Sequence, residues 1–136
     1  MINKPIDIKE QKENEIGILT LRVDNIITFE PNGVKNTTNL EILKKDVILF
    51  LDWTKDNKMG FLSDNRTLKS LESEERAYIQ NNIESFCNKF AMVVETGMSN
   101  YIFNVFQLFN RPSIPMKAFK DCESALKWLQ EKQYYP

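Results

Sequence analysis

The last third of the chain, Lys89 to Lys132, constrains the fold more than any other stretch. A short apolar run, Phe90 to Val94, leads into an aromatic-rich segment, Met98 to Asn110. In that segment Met98, Tyr101, Ile102, Val105, Phe106, Leu108 and Phe109 fall on one broad helical face, opposite Ser99, Asn100, Asn104, Gln107 and Asn110. Phe103 lies on the polar side, which marks it as a candidate contact residue. The connector Asn110 to Pro115 cannot continue a helix, because each proline lacks an amide hydrogen and its ring clashes with the preceding turn. Met116 to Phe119 then reads as a short strand. Asp121 caps a closing helix in which Cys122, Ala125, Leu126 and Leu129 face inward and Trp128 sits at the margin. Strand, helix, strand, helix implies right-handed β-α-β units, with helices laid against a largely parallel sheet.

Upstream, residues 1–15 are polar and charged and read as a weakly ordered lead-in, with Ile6 and Ile8 able to form a short edge strand. Gly17 to Val23 and Ile26 to Glu30 read as two strands of an antiparallel hairpin turned at Asp24-Asn25. Thr37 to Lys45 reads as a short helix capped by Thr37 or Thr38. The unbroken run Val47 to Leu51, closed by Asp52, fits a strand covered on both faces. Residues 53–70 are the least regular, with Lys58 to Leu62 either a short strand or a cap over the sheet. Ser73 reads as the N-cap of a helix running to Cys87, with Tyr78, Ile79, Ile83, Phe86 and Cys87 on one face. Arg76 falls at the edge of that face. It either snorkels to water or points its guanidinium across the sheet end toward a carboxylate or a ligand. The expected architecture is one α/β domain over residues 1–136: a mixed, mainly parallel sheet with an antiparallel N-terminal hairpin and about four helices.

Composition narrows the chemistry. The 136 residues contain no histidine, which removes histidine bases, histidine metal ligands and the Ser-His and Cys-His nucleophile pairs. Carboxylate or lysine chemistry is left as the enzymatic alternative. A net charge of −1 and four scattered arginines (Arg22, Arg66, Arg76 and Arg111) give no basic stripe for nucleic acid. The four glycines are isolated, so no phosphate-cradling loop is present. Cys87 and Cys122, each placed on a helix, read as reduced thiols packed as small hydrophobes, and two distant cysteines build no zinc site. No cofactor and no metal are expected. No apolar stretch reaches the length of a membrane span, so the expectation is a cytoplasmic protein without membrane insertion.

From Ser73 to Leu129 the chain resembles the small STAS-like proteins of Bacteroidetes-type bacteria, which are related in fold to the anti-sigma-factor antagonist domain. The matching residues are Ser73-Glu-Glu-Arg76, Ser99-x-x-Ile102-x-Asn104-x-Phe106, Asn110-x-Pro112-x-x-Pro115-x-x-x-Phe119 and Ala125-Leu126-x-Trp128-Leu129. The resemblance implies a mixed sheet with helices on one side and a binding or regulatory role. The phosphorylatable Asp-Ser-Ser-Gly type of motif is absent, since Asp52 is followed by Trp53-Thr54-Lys55. Asn100 and Phe103 also stand where the family tends to carry a basic and a small residue. Ligands of parallel sheets bind beyond the carboxyl ends of the strands, which makes Asp52, Arg76, Ser99 and Asn104 a candidate rim with Phe103 beside it, the other reading being a structural salt bridge between Asp52 and Arg76. The expected function is recognition of a protein partner or a small ligand. The alternatives are a homodimer or other assembly through Phe103, and an enzyme using carboxylates or lysine.

Overall fold

In the computed structural model the described residues are 8–34, 37–67, 71–95 and 114–131. Three N-terminal strands, β1 (Ile8–Glu13), β2 (Gly17–Arg22) and β3 (Ile26–Pro31), pair antiparallel in turn. The β2–β3 turn closes with the Asn25 amide donating to the Arg22 carbonyl at 3.2 Å, and Asn25 takes a left-handed φ of 63°. Asparagine tolerates that conformation better than most residues, which is why Asp24-Asn25 makes this turn. Beyond β3 come α1 (Leu40–Thr54), β4 (Met59–Asp64), α2 (Ser73–Asn82), a 3-10 turn (Ile83–Ser85), β5 (Cys87–Val93), β6 (Met116–Phe119) and α3 (Cys122–Gln130). The sheet order is β1-β2-β3-β4-β5-β6, and the pairs from β3 onward are parallel. The mixed sheet and the antiparallel N-terminal hairpin therefore stand, with β1 as a further edge strand inside the expected lead-in.

Several expectations are corrected. The run Val47 to Leu51 is not a strand but the middle of α1, a single helix of 15 residues. Val47 and Phe50 turn inward, while Ile48 and Leu51 are 68% and 40% exposed. An apolar run with two solvent-facing members imitates a buried strand. The cap is Asn39, whose side chain accepts from the Ile42 amide at 2.9 Å, rather than Thr37 or Thr38. Of the two readings of Lys58 to Leu62 the strand holds: β4 (Met59–Asp64) lies inside the sheet between β3 and β5. Helix α2 is capped at Glu72 rather than Ser73, with the Glu75 carboxylate accepting from the Glu72 amide at 3.3 Å. It ends at Asn82, so Cys87 opens β5 instead of closing a helix. Three α-helices stand among the described residues, against about four expected; the Met98–Asn110 segment lies outside them.

The helices cover both faces of the sheet rather than one, as the strand alternation requires. On β3, β4, β5 and β6 the residues Ile27, Phe61, Phe90, Met92 and Met116 point toward α1 and α2. Their neighbours Ile26, Leu62, Ala91, Val93 and Phe119 point toward Ala125 and Leu129 of α3. The first layer is aromatic. Phe50 meets Phe61 edge-on and Phe86 at a tilt, each at 5.0 Å between ring centroids, and Phe61 stacks on Phe90 at 5.5 Å. Such pairs add about 0.5–1.5 kcal/mol each beyond simple burial.

The hairpin depends on one absent side chain. A Cβ on Gly17 would sit 2.2 Å from the Glu30 carbonyl oxygen and 2.7 Å from the Phe29 ring. Gly17→Ala must push β2 and β3 apart, and should destabilise the fold by about 1–3 kcal/mol. Urea unfolding of the two proteins measures this, and equal midpoints would contradict the close approach.

Candidate functional site

Between the sheet and the α1–α2 layer lies a cavity of about 120 Å³. Its wall is mostly hydrocarbon, from Leu19 of β2 and Phe29 of β3 to Ile79 of α2 and Met92 of β5. It extends to the carboxyl ends of β3 and β4, where Phe29, Ser63 and Asn65 line it, and to the segments entering α1 and α2 at Thr38 and Leu71. This is where parallel α/β sheets hold ligands, because the strand ends diverge and the following helices begin there.

One charged residue lines the cavity among the described residues: Asp46 of α1. It is only 9% exposed. The Asn14 side-chain amide donates to both of its carboxylate oxygens, at 3.1 and 3.2 Å. Asn14 is itself fixed in the β1–β2 turn, since its Oδ1 accepts from the Ile16 and Gly17 amides, each at 2.9 Å. That pair of bonds settles which end of the Asn14 amide faces Asp46. No lysine or arginine of the described residues pairs with Asp46. Burial in a hydrocarbon layer disfavours the charged form and pushes the Asp46 carboxyl up to about 6, against the weaker pull of the Asn14 bond. Two further polar groups meet the cavity. Thr38 lines it with a buried hydroxyl that has no hydrogen-bond partner. The Ser63 hydroxyl donates to Asn65 Oδ1 at 2.6 Å and keeps its own lone pairs.

The rim expected from the sequence is not assembled. Asp52 sits on the exposed side of the last turn of α1, not at a strand end. Arg76 is half-buried on α2 and donates to the Leu71 carbonyl at 2.6 Å, so it fastens a residue that lines the cavity to the helix. No ion pair joins Asp52 to Arg76. Ser99, Phe103 and Asn104 lie outside the described residues. The residue that sequence reasoning missed is Asp46. Its signal is the spacing Ile42-Asp46-Phe50-Trp53, an acid inside an apolar helical stripe, which shows only when residues 40–54 are taken as one helix.

The opposite face carries polar groups that serve structure. Arg66 holds the buried Asp64 through two bonds of 2.9 and 2.7 Å and also reaches Cys122 Sγ at 3.6 Å. Lys89 Nζ donates to the Trp128 carbonyl at 2.5 Å and lies 4.3 Å from the centre of the Trp128 ring, closing the C-terminal turn of α3. Both thiols are free, and burial pushes Cys87 up to about 12 and Cys122 up to about 11, which leaves them poor nucleophiles.

These features define a small α/β domain with a ligand-sized apolar cavity that holds one buried acid. The chain belongs to the family described as a domain of unknown function (DUF7793), which matches residues 19–133. No curated protein and no solved structure matches it.

The raised Asp46 pKa has a stability consequence. Because the folded value lies above the ordinary 3.8, the native protein keeps a proton that the unfolded chain has already released between these values. Stability from this residue is therefore greatest below that window and falls as pH rises through it, by up to roughly 3 kcal/mol. Asp46→Asn retains an acceptor for Asn14 and removes the buried charge. Urea unfolding should show it more stable than the parent by about 1–3 kcal/mol at pH 7 and nearly equal at pH 4. A variant less stable at pH 7 would contradict the burial of an uncompensated charge.

Proposed function

We propose that this domain is a non-enzymatic binding module, STAS-like in the sense of the resemblance quoted above, that holds a small and mainly apolar ligand between α1, α2 and the sheet. The cavity carries this reading. In another protein an apolar cavity of about 150 Å³ takes up benzene, so roughly six heavy atoms suit a space of this order. The polar groups here are few and fixed, as in sites where hydrocarbon supplies affinity and one or two groups set orientation. A lone carboxyl, with no second acid and no thiol or amine among the described lining residues, serves recognition better than turnover. Arg76 contributes indirectly, by tying the lining residue Leu71 to α2. A regulatory role follows if the ligand stabilises one arrangement of α1 and α2 over another.

Titration of the labelled protein with benzene, followed by amide chemical shifts, tests the site. Saturable shifts at Val47, Ile83 and Met92 are expected. They should weaken at least tenfold in Leu43→Phe, which adds bulk at a half-buried lining position. Shifts confined to other parts of the sheet would overturn the assignment.

A further inference from the structure

The groups around the cavity specify a head as well as a body. Asp46 offers carboxylate oxygens with lone pairs beyond those used by Asn14. The Thr38 hydroxyl is without a partner, and the Ser63 hydroxyl, having given its hydrogen to Asn65, is an acceptor. Charge points the same way. Around Asp46 the described lining from β2, β3, β4, α2, β5 and β6 is uncharged, and the β1–β2 turn supplies only the Asn14 amide. Among the described residues a carboxylate in that position meets no countercharge, and a buried charge is costly unless it is paired.

We propose that the ligand is a small primary ammonium compound, with a hydrocarbon body of about five or six carbons in the cavity and its ammonium group on Asp46. An ammonium group has three donors and no acceptor, which suits the Asp46 carboxylate in a cavity whose other described polar side chains, Thr38, Ser63 and Asn65, offer oxygen acceptors. A carboxylate head would meet Asp46 as a like charge, and a hydroxyl head would leave it without a countercharge. The proposal rests on the reading of the cavity as a ligand site and adds to it a chemical class and a pH dependence. Because the ammonium group pairs with ionised Asp46, affinity is full above the Asp46 titration and falls as pH drops through it, approaching about tenfold per unit.

Isopentylamine, isopentanol and isovalerate share one carbon skeleton and differ only in the head, so calorimetry or amide shifts with these three probes separate the possibilities. At pH 7.5 isopentylamine should bind at least tenfold more tightly than isopentanol, and isovalerate more weakly than either. The amine should lose at least fivefold in affinity between pH 6.5 and pH 5, while isopentanol changes little. Asp46→Asn, confirmed folded by its amide spectrum, should bring the amine down to the level of the alcohol. Should that variant fail to fold, the pH series on the parent protein decides alone. Isopentanol or isovalerate binding as tightly as the amine, or amine binding indifferent to pH and to Asp46→Asn, overturns the ammonium assignment and leaves the cavity reading standing. Failure of benzene and all three probes to bind overturns both.

Discussion

A carboxyl group held inside a hydrocarbon layer is the constraint around which this domain is built. Asp46 cannot leave the layer, because Ile42, Phe50 and Trp53 on the same helix are buried and set its rotation. Phe50 is locked in turn by Phe61 of β4 and by Phe86, just before β5. Among the described residues the group that hydrogen-bonds the carboxyl is the Asn14 amide of the β1–β2 turn, where two backbone amides fix its orientation. The first hairpin thus reaches across to hold a polar group of α1. The close β2–β3 approach at Gly17, directly after that turn, helps to fix where it sits.

The two faces of the sheet differ in what they leave open. On the α3 side the polar groups are committed to each other. Arg22 grips Asp24 through two bonds of 2.9 Å, Gln130 adds a third bond to Asp24 at 3.0 Å, and Lys89 caps α3. These links tie the turn after β2 and the start of β5 to the last helix, and they leave α3 a packing element. Gly60 of β4 belongs to the same scheme, since a Cβ there would lie 3.4 Å from the Leu129 side chain. On the α1–α2 side the large aromatic rings do not fill the space completely. The leftover volume runs from Ile83 and Phe86, before β5, to the carboxyl ends of β3 and β4, where the Thr38 hydroxyl has no partner. Native interiors usually close such space, because each methylene-sized void costs about 1 kcal/mol. A cavity kept open next to a buried acid is therefore the part of the molecule with the clearest capacity for a ligand.

Local chemistry made much of the architecture legible. The hairpin, β6 and the capped α3 follow directly from Asp24-Asn25, the alternation in β2, Pro115 and Asp121. The centre was harder to read. Val-Ile-Leu-Phe-Leu contains no polar residue to show a helical period, and the exposed Ile48 and Leu51 obey no burial rule visible in sequence. Gly60 and Ser63 dilute β4, yet each has a spatial reason: Leu129 packs over one, and the other faces the cavity. Dividing residues 40–54 into a helix and a strand places Asp52 at a strand end, whereas in the single helix Asp52 faces outward and Asp46 falls within the buried stripe. Arg76 alone of the described rim residues lies near the cavity, through its bond to Leu71.

Asp46 is a buried carboxyl that meets no countercharge among the described residues. Carbon-detected NMR titration of the Asp46 side-chain carboxyl, assigned by comparison with Asp46→Asn, tests it most directly. A midpoint near 6 is the result the structure predicts. A midpoint at or below the ordinary aspartate range near 3.8 would show a solvated or cation-paired group and would contradict the account.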